Sequence, residues 1–231
     1  MAIAFDASAV SAESGTSTLA WNHVVGAAGA NRLLSVGIVT IGYSQPTVTA
    51  VTFDGVAMTK ARADQANDGE GSYVESSVWI LKNPNTGTKT ISATITNNYD
   101  AGGVSASYTG CSQTSVADAV GGKIGTTSDG SQSFTVTTVA DNCWIFAVGM
   151  GLYSCDANQT SRGTVVIYYG YLVVRGEDTN AAQTPAGAKT MGFTLGANQT
   201  CWVMSGASFA PVAAASIVIP VLEAQYRRRR S

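Results

Sequence analysis

The chain has 231 residues, of which 45% are apolar and only 12% are charged, and its formal net charge is −2. Because soluble domains usually carry about a quarter charged residues, Thr, Ser, Asn and Gly must cover much of this surface. Four of the 13 basic residues are the arginines at 227–230, so the rest of the chain is acidic and a poor electrostatic match for nucleic acid. No run reaches the ~18 apolar residues that a membrane-spanning helix needs. The opening MAIAFDASAV also lacks the basic and apolar regions of a secretory signal, so we expect synthesis in a cytoplasm and no membrane partner.

Hydrophobic residues alternate with polar ones along nearly the whole chain, which is the pattern of β-strands. The predicted strands are rich in β-branched and aromatic residues and are separated by turn signals such as Asp54-Gly55 and the NPNTG run at 83–87. The alternation predicts strands at residues 18–24, 32–41, 48–53, 73–81, 89–96, 104–109, 133–138, 143–149, 165–174, 190–195 and 201–209.

This many short strands predicts an all-β fold, a two-sheet antiparallel β-sandwich of the jelly-roll-like kind that occupies residues 1–212. No repeat of 20–50 residues is evident. Trp21, Trp79, Trp144 and Trp202 all lie inside predicted strands, so we expect them to fill the space between sheets. The alternative role for aromatic residues is a sugar-stacking surface, for which Tyr43, Tyr99 and Tyr153 at strand ends are the candidates.

Two longer polar stretches, residues 61–71 and 175–188, are predicted to be surface loops, a common location of functional residues. The first contains Asp64, Asp68 and Glu70, which loosely suggests a calcium loop but lacks the EF-hand spacing. Solvated loop acids are the simpler interpretation. No glycine-rich phosphate-binding loop precedes a helix, and GGKIGTT at 121–127 lacks the Walker spacing.

Catalytic chemistry finds little support in the sequence. The single histidine, His23, lies in the middle of a predicted strand, and no serine has a nucleophile-elbow context. The four cysteines, Cys111, Cys143, Cys155 and Cys201, have no metal-binding spacing. We interpret Cys143 and Cys201 as buried apolar residues, although the even count leaves disulfides open for an exported protein. We therefore expect a non-enzymatic protein with no cofactor and no metal.

The last 19 residues, 213–231, differ from the rest and predict an extended C-terminal arm outside the sandwich. A small-residue hinge leads into an apolar patch and then a basic end. Apolar patches outside a domain are usually buried on a partner, and arginine is suited to bidentate pairing with carboxylates. The predicted partner-binding residues are Ile217, Val218, Ile219, Val221, Leu222, Tyr226, Arg227, Arg228, Arg229 and Arg230.

Four consecutive runs, ANRLLSVGIVTIG at 30–42, VTAVTFDGVAMTKA at 48–61, SSVWILKNPNTGTKTISATIT at 76–96 and GGVSASYTGCSQTS at 102–115, form a distinctive series. The series resembles a diffuse group of jelly-roll-like β-sandwich domains of tailed-phage structural proteins and bacterial surface proteins. Asp54, Asn85 and the arginine-rich arm depart from the group's pattern.

The resemblance implies a non-enzymatic virion structural protein, and the expected role is a capsid decoration or cement protein of a tailed bacteriophage. Its partners would be the major capsid protein or other virion subunits, and it would be a homo-oligomer, with a trimer favoured. The alternative is a carbohydrate-binding module of a tail fibre or a cell surface.

Overall fold

The computed structural model describes residues 1–126, 130–150, 152–155, 158–195 and 201–213. These residues form β-strands joined by turns, and none of them lies in an α-helix. Within these ranges there is accordingly no helix long and apolar enough to cross a bilayer. The strands are β1 (Ala4–Val10), β2 (Thr18–Val25), β3 (Leu33–Gly42), β4 (Thr47–Phe53), β5 (Val56–Ala57), β6 (Thr59–Asn67), β7 (Tyr73–Lys82), β8 (Gly87–Thr96), β9 (Asp100–Thr109), β10 (Ala119–Gly125), β11 (Ser131–Thr138), β12 (Trp144–Met150), β13 (Leu152–Cys155), β14 (Thr160–Ile167), β15 (Leu172–Asp178), β16 (Gly187–Leu195) and β17 (Trp202–Phe209).

The strands pair into four sheets, and every pairing is antiparallel. Sheet I has the order β1-β9-β3-β7-β6, and sheet II has the order β2-β8-β4-β5. Sheet III has the order β10-β17-β12-β15-β14, and sheet IV has the order β11-β16-β13. The predicted all-β, antiparallel sandwich fold is therefore confirmed, and the sheets number four where the sequence predicted two.

The sandwich packing repeats through the molecule, because the sheets stack as four layers in the order II, I, III, IV. One apolar layer lies between sheets II and I, a second between sheets I and III, and a third between sheets III and IV. The central strands of sheets I and III are buried on both faces, as in β3 and β12, where every residue is buried. The outer strands β2 and β11 instead alternate strictly between exposed and buried positions.

The two halves of the chain have the same topology. Strands β1–β4 correspond in order to β10–β13, and strands β6–β9 correspond to β14–β17. With this correspondence the strand order of sheet I is that of sheet III, and the order of sheet II is that of sheet IV, except that β5 has no counterpart. The left-handed residues also correspond. Asn31 (φ 56°) and Asn142 (φ 61°) precede β3 and β12, and Asn83 (φ 48°) and Asn180 (φ 46°) follow β7 and β15. The chain is thus two equivalent sandwiches packed through their five-stranded sheets.

All four tryptophans lie in the interior, at 7% exposure or less, as expected from their positions in strands. Trp21 and Trp79 pack between sheets I and II, Trp144 between sheets I and III, and Trp202 between sheets III and IV. The tryptophans therefore hold the layers together and offer no sugar-stacking surface.

Three predictions of local structure are corrected. Residues 61–67, which belong to the predicted loop at 61–71, lie in the edge strand β6, whose polar composition reflects exposure at the edge of sheet I. Residues 165–174, predicted to be one strand, are a hairpin in which residues 168–171 turn the chain from β14 into β15. The predicted loop at 175–188 begins inside β15 and is a loop only from residue 179 onwards.

Candidate functional site

The last described residues leave the sandwich at one end of the strands. The Val212 N–H donates to the Gly110 carbonyl (2.9 Å), and the Ser112 N–H donates to the Ala210 carbonyl (2.8 Å). The Met1 ammonium donates to the Val212 carbonyl (3.4 Å). Met1 and residues 210–212 are thus attached at the same end of the molecule, which we call the arm end.

A shallow cavity of about 360 Å³ opens at the arm end. Its lining includes Met1, Ile3, Asn142, Pro211 and Val212, so the chain enters and leaves beside it. The arm itself begins at this cavity. The predicted partner-binding residues lie outside the described part of the chain, and their contacts stay a prediction; they are Ile217, Val218, Ile219, Val221, Leu222, Tyr226, Arg227, Arg228, Arg229 and Arg230.

Five tyrosines gather at the opposite end of the strands. Tyr43 follows β3, Tyr99 precedes β9, and Tyr168, Tyr169 and Tyr171 form the tip of the β14–β15 hairpin. We call these five residues the tyrosine cluster, and they come from both sandwiches. The sequence predicted Tyr43 and Tyr99 as candidates and missed the other three. The third sequence candidate, Tyr153, lies in β13, where its side chain is outside the described part of the structure.

The rings of the tyrosine cluster contact one another edge to face. The Tyr43 and Tyr99 centroids are 4.8 Å apart, and those of Tyr99 and Tyr168 are 5.7 Å apart. The Tyr99 hydroxyl donates to the Tyr169 hydroxyl (3.0 Å), and hydrogen bonding, first to Tyr169, raises the pKa of Tyr99. Tyr43, Tyr169 and Tyr171 are nevertheless 66%, 77% and 75% exposed. The cluster is therefore ordered internally but uncovered on its outer side.

The hairpin tip is held in an unfavourable backbone conformation. Tyr168 (φ 54°) and Tyr169 (φ 55°) are both left-handed, a conformation normally left to Gly, Asn and Asp. The Asp100 carboxylate accepts the Tyr168 N–H (2.6 Å) and the Ala101 N–H (2.8 Å), which fixes the tip against β9 of the other sandwich. Burial, together with a hydrogen bond to Glu13, raises the pKa of Asp100 to about 6. Strained residues of this kind tend to mark functional sites.

Amide side chains connect the loops around the tyrosine cluster. The Asn98 side chain donates to the Ser14 and Thr16 carbonyls (2.9 and 2.8 Å), and its oxygen accepts from the Thr40 hydroxyl (2.5 Å). The Asn97 side chain donates to the Gln45 carbonyl (3.1 Å). The described loops of this end, residues 11–17, 43–46, 68–72, 97–99 and 168–171, contain acidic residues but no Lys, Arg or His.

His23 has the surroundings of a structural residue. It is 1% exposed, and its Nδ1 and Nε2 atoms lie 2.9 and 3.0 Å from the Ser105 and Ser107 hydroxyls. Ser107 in turn donates to Asp6 (2.7 Å), and the Trp21 indole donates to Ser105 (3.1 Å). Burial lowers the pKa of His23 to about 4, against a smaller opposing effect of the Asp6 carboxylate. An imidazole enclosed in this way is neutral at pH 7 and out of reach of a substrate.

The acids of the predicted calcium loop have separate roles. Asp64 lies in β6, where it forms an ion pair with Arg62 (2.6 Å) and accepts from the Ser205 hydroxyl (2.6 Å) of sheet III. Asp68 caps the β6–β7 turn by accepting the Glu70 and Ser72 N–H groups (2.8 and 2.9 Å). Among the residues that the structure describes, no group of three or more His, Cys, Asp or Glu side chains is arranged to hold a metal ion.

The cysteines are free thiols, and three of them are buried. Burial raises the pKa of Cys111 and Cys143 to about 12 and that of Cys201 to about 11, so these thiols stay protonated at neutral pH. The expectation that Cys143 and Cys201 are buried residues is confirmed.

Comparison of the chain with models of protein families found no match, and comparisons with curated proteins and with solved structures found none either. The function is therefore inferred from the structure itself, namely from the arm end and from the tyrosine cluster at the opposite end.

Proposed function

We propose that the chain is a non-enzymatic virion structural protein of a tailed bacteriophage, a decoration or cement protein that attaches to the shell through its C-terminal arm and its sandwich. The observation that supports this most is the placement of the arm. Residues 210–212 are hydrogen-bonded to residues 110–112, so the arm starts from one fixed end, while the tyrosine cluster lies at the other. A body attached in this orientation points its exposed tyrosines away from the shell.

The major capsid protein, or another virion subunit, is the proposed partner. The apolar patch would pack into a groove of that partner, and Arg227–Arg230 would pair with its acidic groups. A homotrimer is the proposed state of assembly, which sedimentation in the presence and absence of shells can test. A monomer under both conditions would contradict it.

Deleting residues 213–231 should abolish attachment to particles and leave the sandwich folded. The reason is that the hydrogen bonds by which the described C-terminal residues hold to the body involve Ala210 and Val212, which the deletion keeps. The measurement is co-sedimentation with shells that lack the protein, together with the melting temperature of the truncated chain.

Replacing only the four arginines by serine is the matched variant for charge. It should weaken attachment more at low salt than at high salt, because exposed charge pairs are screened within ~8–10 Å at physiological ionic strength. Full occupancy of particles by the truncated chain would show that the arm is not the anchor.

The second candidate function is a carbohydrate-binding module of a tail fibre or a cell surface. The tyrosine cluster favours it, since exposed aromatic rings framed by amide groups suit sugar ligands. Labelling the protein in intact particles separates the two candidates, because a decoration protein lies on the head and a fibre module lies on the tail.

A further inference from the structure

We propose that the tyrosine cluster is a binding site for an uncharged glycan, with Tyr43, Tyr169 and Tyr171 as the stacking residues. The inference rests on the carbohydrate-binding candidate above, to which it adds the class of ligand and the stacking residues. It holds whether the protein lies on the head or on the tail.

The exposed rings provide the apolar part of such a site. One face of a pyranose ring carries mainly C–H groups, and its packing on an aromatic ring removes apolar surface of both from water. Tyr43, Tyr169 and Tyr171 are each at least 66% exposed, so their faces are open to a ligand. Their hydroxyls are both donors and acceptors of hydrogen bonds, as sugar hydroxyls require.

The left-handed conformation of Tyr169, together with its exposure, supports a role in binding rather than in folding, whereas Tyr168 packs against the core. A turn needs Gly or Asn where φ is positive, yet Tyr168 and Tyr169 occupy two such positions in succession. Tyr169 is 77% exposed, so burial in the core cannot account for its presence there. Asp100, which accepts the Tyr168 N–H, is a positioning residue for this tip.

The charge of this end selects against anionic ligands. The described loops around the cluster hold Glu13, Asp68 and Glu70 and lack basic residues, so they repel phosphates, sulfates and sialic acids. The electrostatics therefore favour an uncharged glycan over a nucleic acid, an anionic lipid or an acidic polysaccharide.

The size of the exposed surface favours a sugar over a second protein. A stable protein interface needs roughly 20–30 residues on each side. Three exposed rings framed by polar loops are far below this, whereas one or two rings suffice for a sugar unit. The site also draws on both sandwiches, and junctions between domains are common places for ligand sites.

The test is binding of the full chain to a panel of immobilised polysaccharides: neutral glucan, mannan, galactan and chitin oligomers, and anionic heparin and polysialic acid. We expect at least one neutral polymer to bind and the anionic ones not to bind. Tyr171→Ala and Tyr169→Asn should each weaken that binding by about tenfold or more, because each removes a stacking ring. Tyr171→Phe should retain most of it.

Two controls separate a binding role from a structural one. Tyr169→Asn should leave the melting temperature unchanged or raise it, since Asn tolerates positive φ better than Tyr does. Val139→Ala, at a 76% exposed position in the β11–β12 loop near the arm end, should change neither binding nor stability.

The proposal is overturned by any of three results: no neutral polymer binds, only anionic polymers bind, or the tyrosine variants bind as the parent does. Loss of self-association in Tyr169→Asn without any glycan binding would identify the cluster as a contact between copies. The chain truncated at residue 212 should bind the glycan as the full chain does, so failure of the arm as an anchor and failure of this site are distinguishable.

Discussion

Trp79→Ala should destabilise the protein by about 3–5 kcal/mol, since it leaves a large cavity between sheets I and II. Trp79 is 5% exposed, its indole N–H donates to the Ser77 hydroxyl (3.1 Å), and the Lys60 ammonium lies 4.8 Å from its ring centroid. The variant therefore loses apolar burial, a hydrogen bond and a cation–π contact together. For a chain of this size the melting temperature should fall by about 6–20 °C, measurable by circular dichroism.

Trp79→Phe is the matched control, because it keeps an aromatic ring in the same layer and should lose clearly less stability. Val139→Ala, at a 76% exposed position, should stay within about 0.5 kcal/mol of the parent. A soluble Trp79→Ala protein with an unchanged melting temperature would show that the register of β7 between β3 and β6 is wrong.

Acidification should destabilise the protein through His23 by about 3 kcal/mol between pH 7 and pH 4. The ordinary pKa of 6.5 applies in the unfolded chain, whereas burial lowers the pKa of His23 to about 4 in the folded one. Above pH 6.5 both states are neutral, so His23 adds no pH dependence. From pH 6.5 down to pH 4 only the unfolded chain takes up the proton, and the free energy of unfolding falls accordingly.

His23→Gln isolates this contribution, because the Gln amide can still bond Ser105 and Ser107 but does not titrate. Asp100 acts in the opposite direction over part of the same range: its pKa is raised to about 6, so the folded state takes up that proton first. The Asp100 effect is common to both proteins and cancels in their difference. Urea unfolding at pH 7 and pH 4 should show the parent losing about 3 kcal/mol relative to His23→Gln. Equal losses in the two proteins would mean that His23 is not buried as described.

The strand content was predictable because alternation and turn residues are local signals. The pattern at 18–24 predicted β2, and the Asp54-Gly55 pair predicted the β4–β5 turn, where Asp54 (φ 52°) and Gly55 (φ 75°) are left-handed as such a turn requires. The interior tryptophans followed from the same pattern. The same local signals did not predict β6. Its position at the exposed edge of sheet I makes its residues polar, so its sequence looks like that of a loop.

The repeat within the chain does not appear as a period of 20–50 residues, because the repeating unit is about half the chain. Its traces in the sequence are short: Lys89-Thr90 and Lys189-Thr190 are the third and fourth residues of equivalent strands, and ASY at 106–108 corresponds to ASF at 207–209. Many other side chains at equivalent positions differ. His23 and Val136, for example, occupy the same place in β2 and β11.

The candidate site shows the same division between local and tertiary information. The sequence identified Tyr43 and Tyr99 as tyrosines at strand ends, but the hairpin tyrosines were hidden in a run, VVIYYGYLVV, that matches a single strand. Gly170 was the signal for a turn there, and its φ of 89° confirms that role. No local pattern could indicate that the β14–β15 hairpin meets the loop before β9.

The sequence by itself determined the all-β class, the burial of the tryptophans and the low charge, because each depends on the character of single residues and their nearest neighbours. The tertiary structure alone decided that the sheets number four, that the two halves are equivalent, and that five tyrosines form one cluster. These features depend on contacts between residues more than a hundred positions apart in some cases, such as Ser76 with Ser205. Pairings of that kind are set by which surfaces bury each other best, and periodicity carries no information about them.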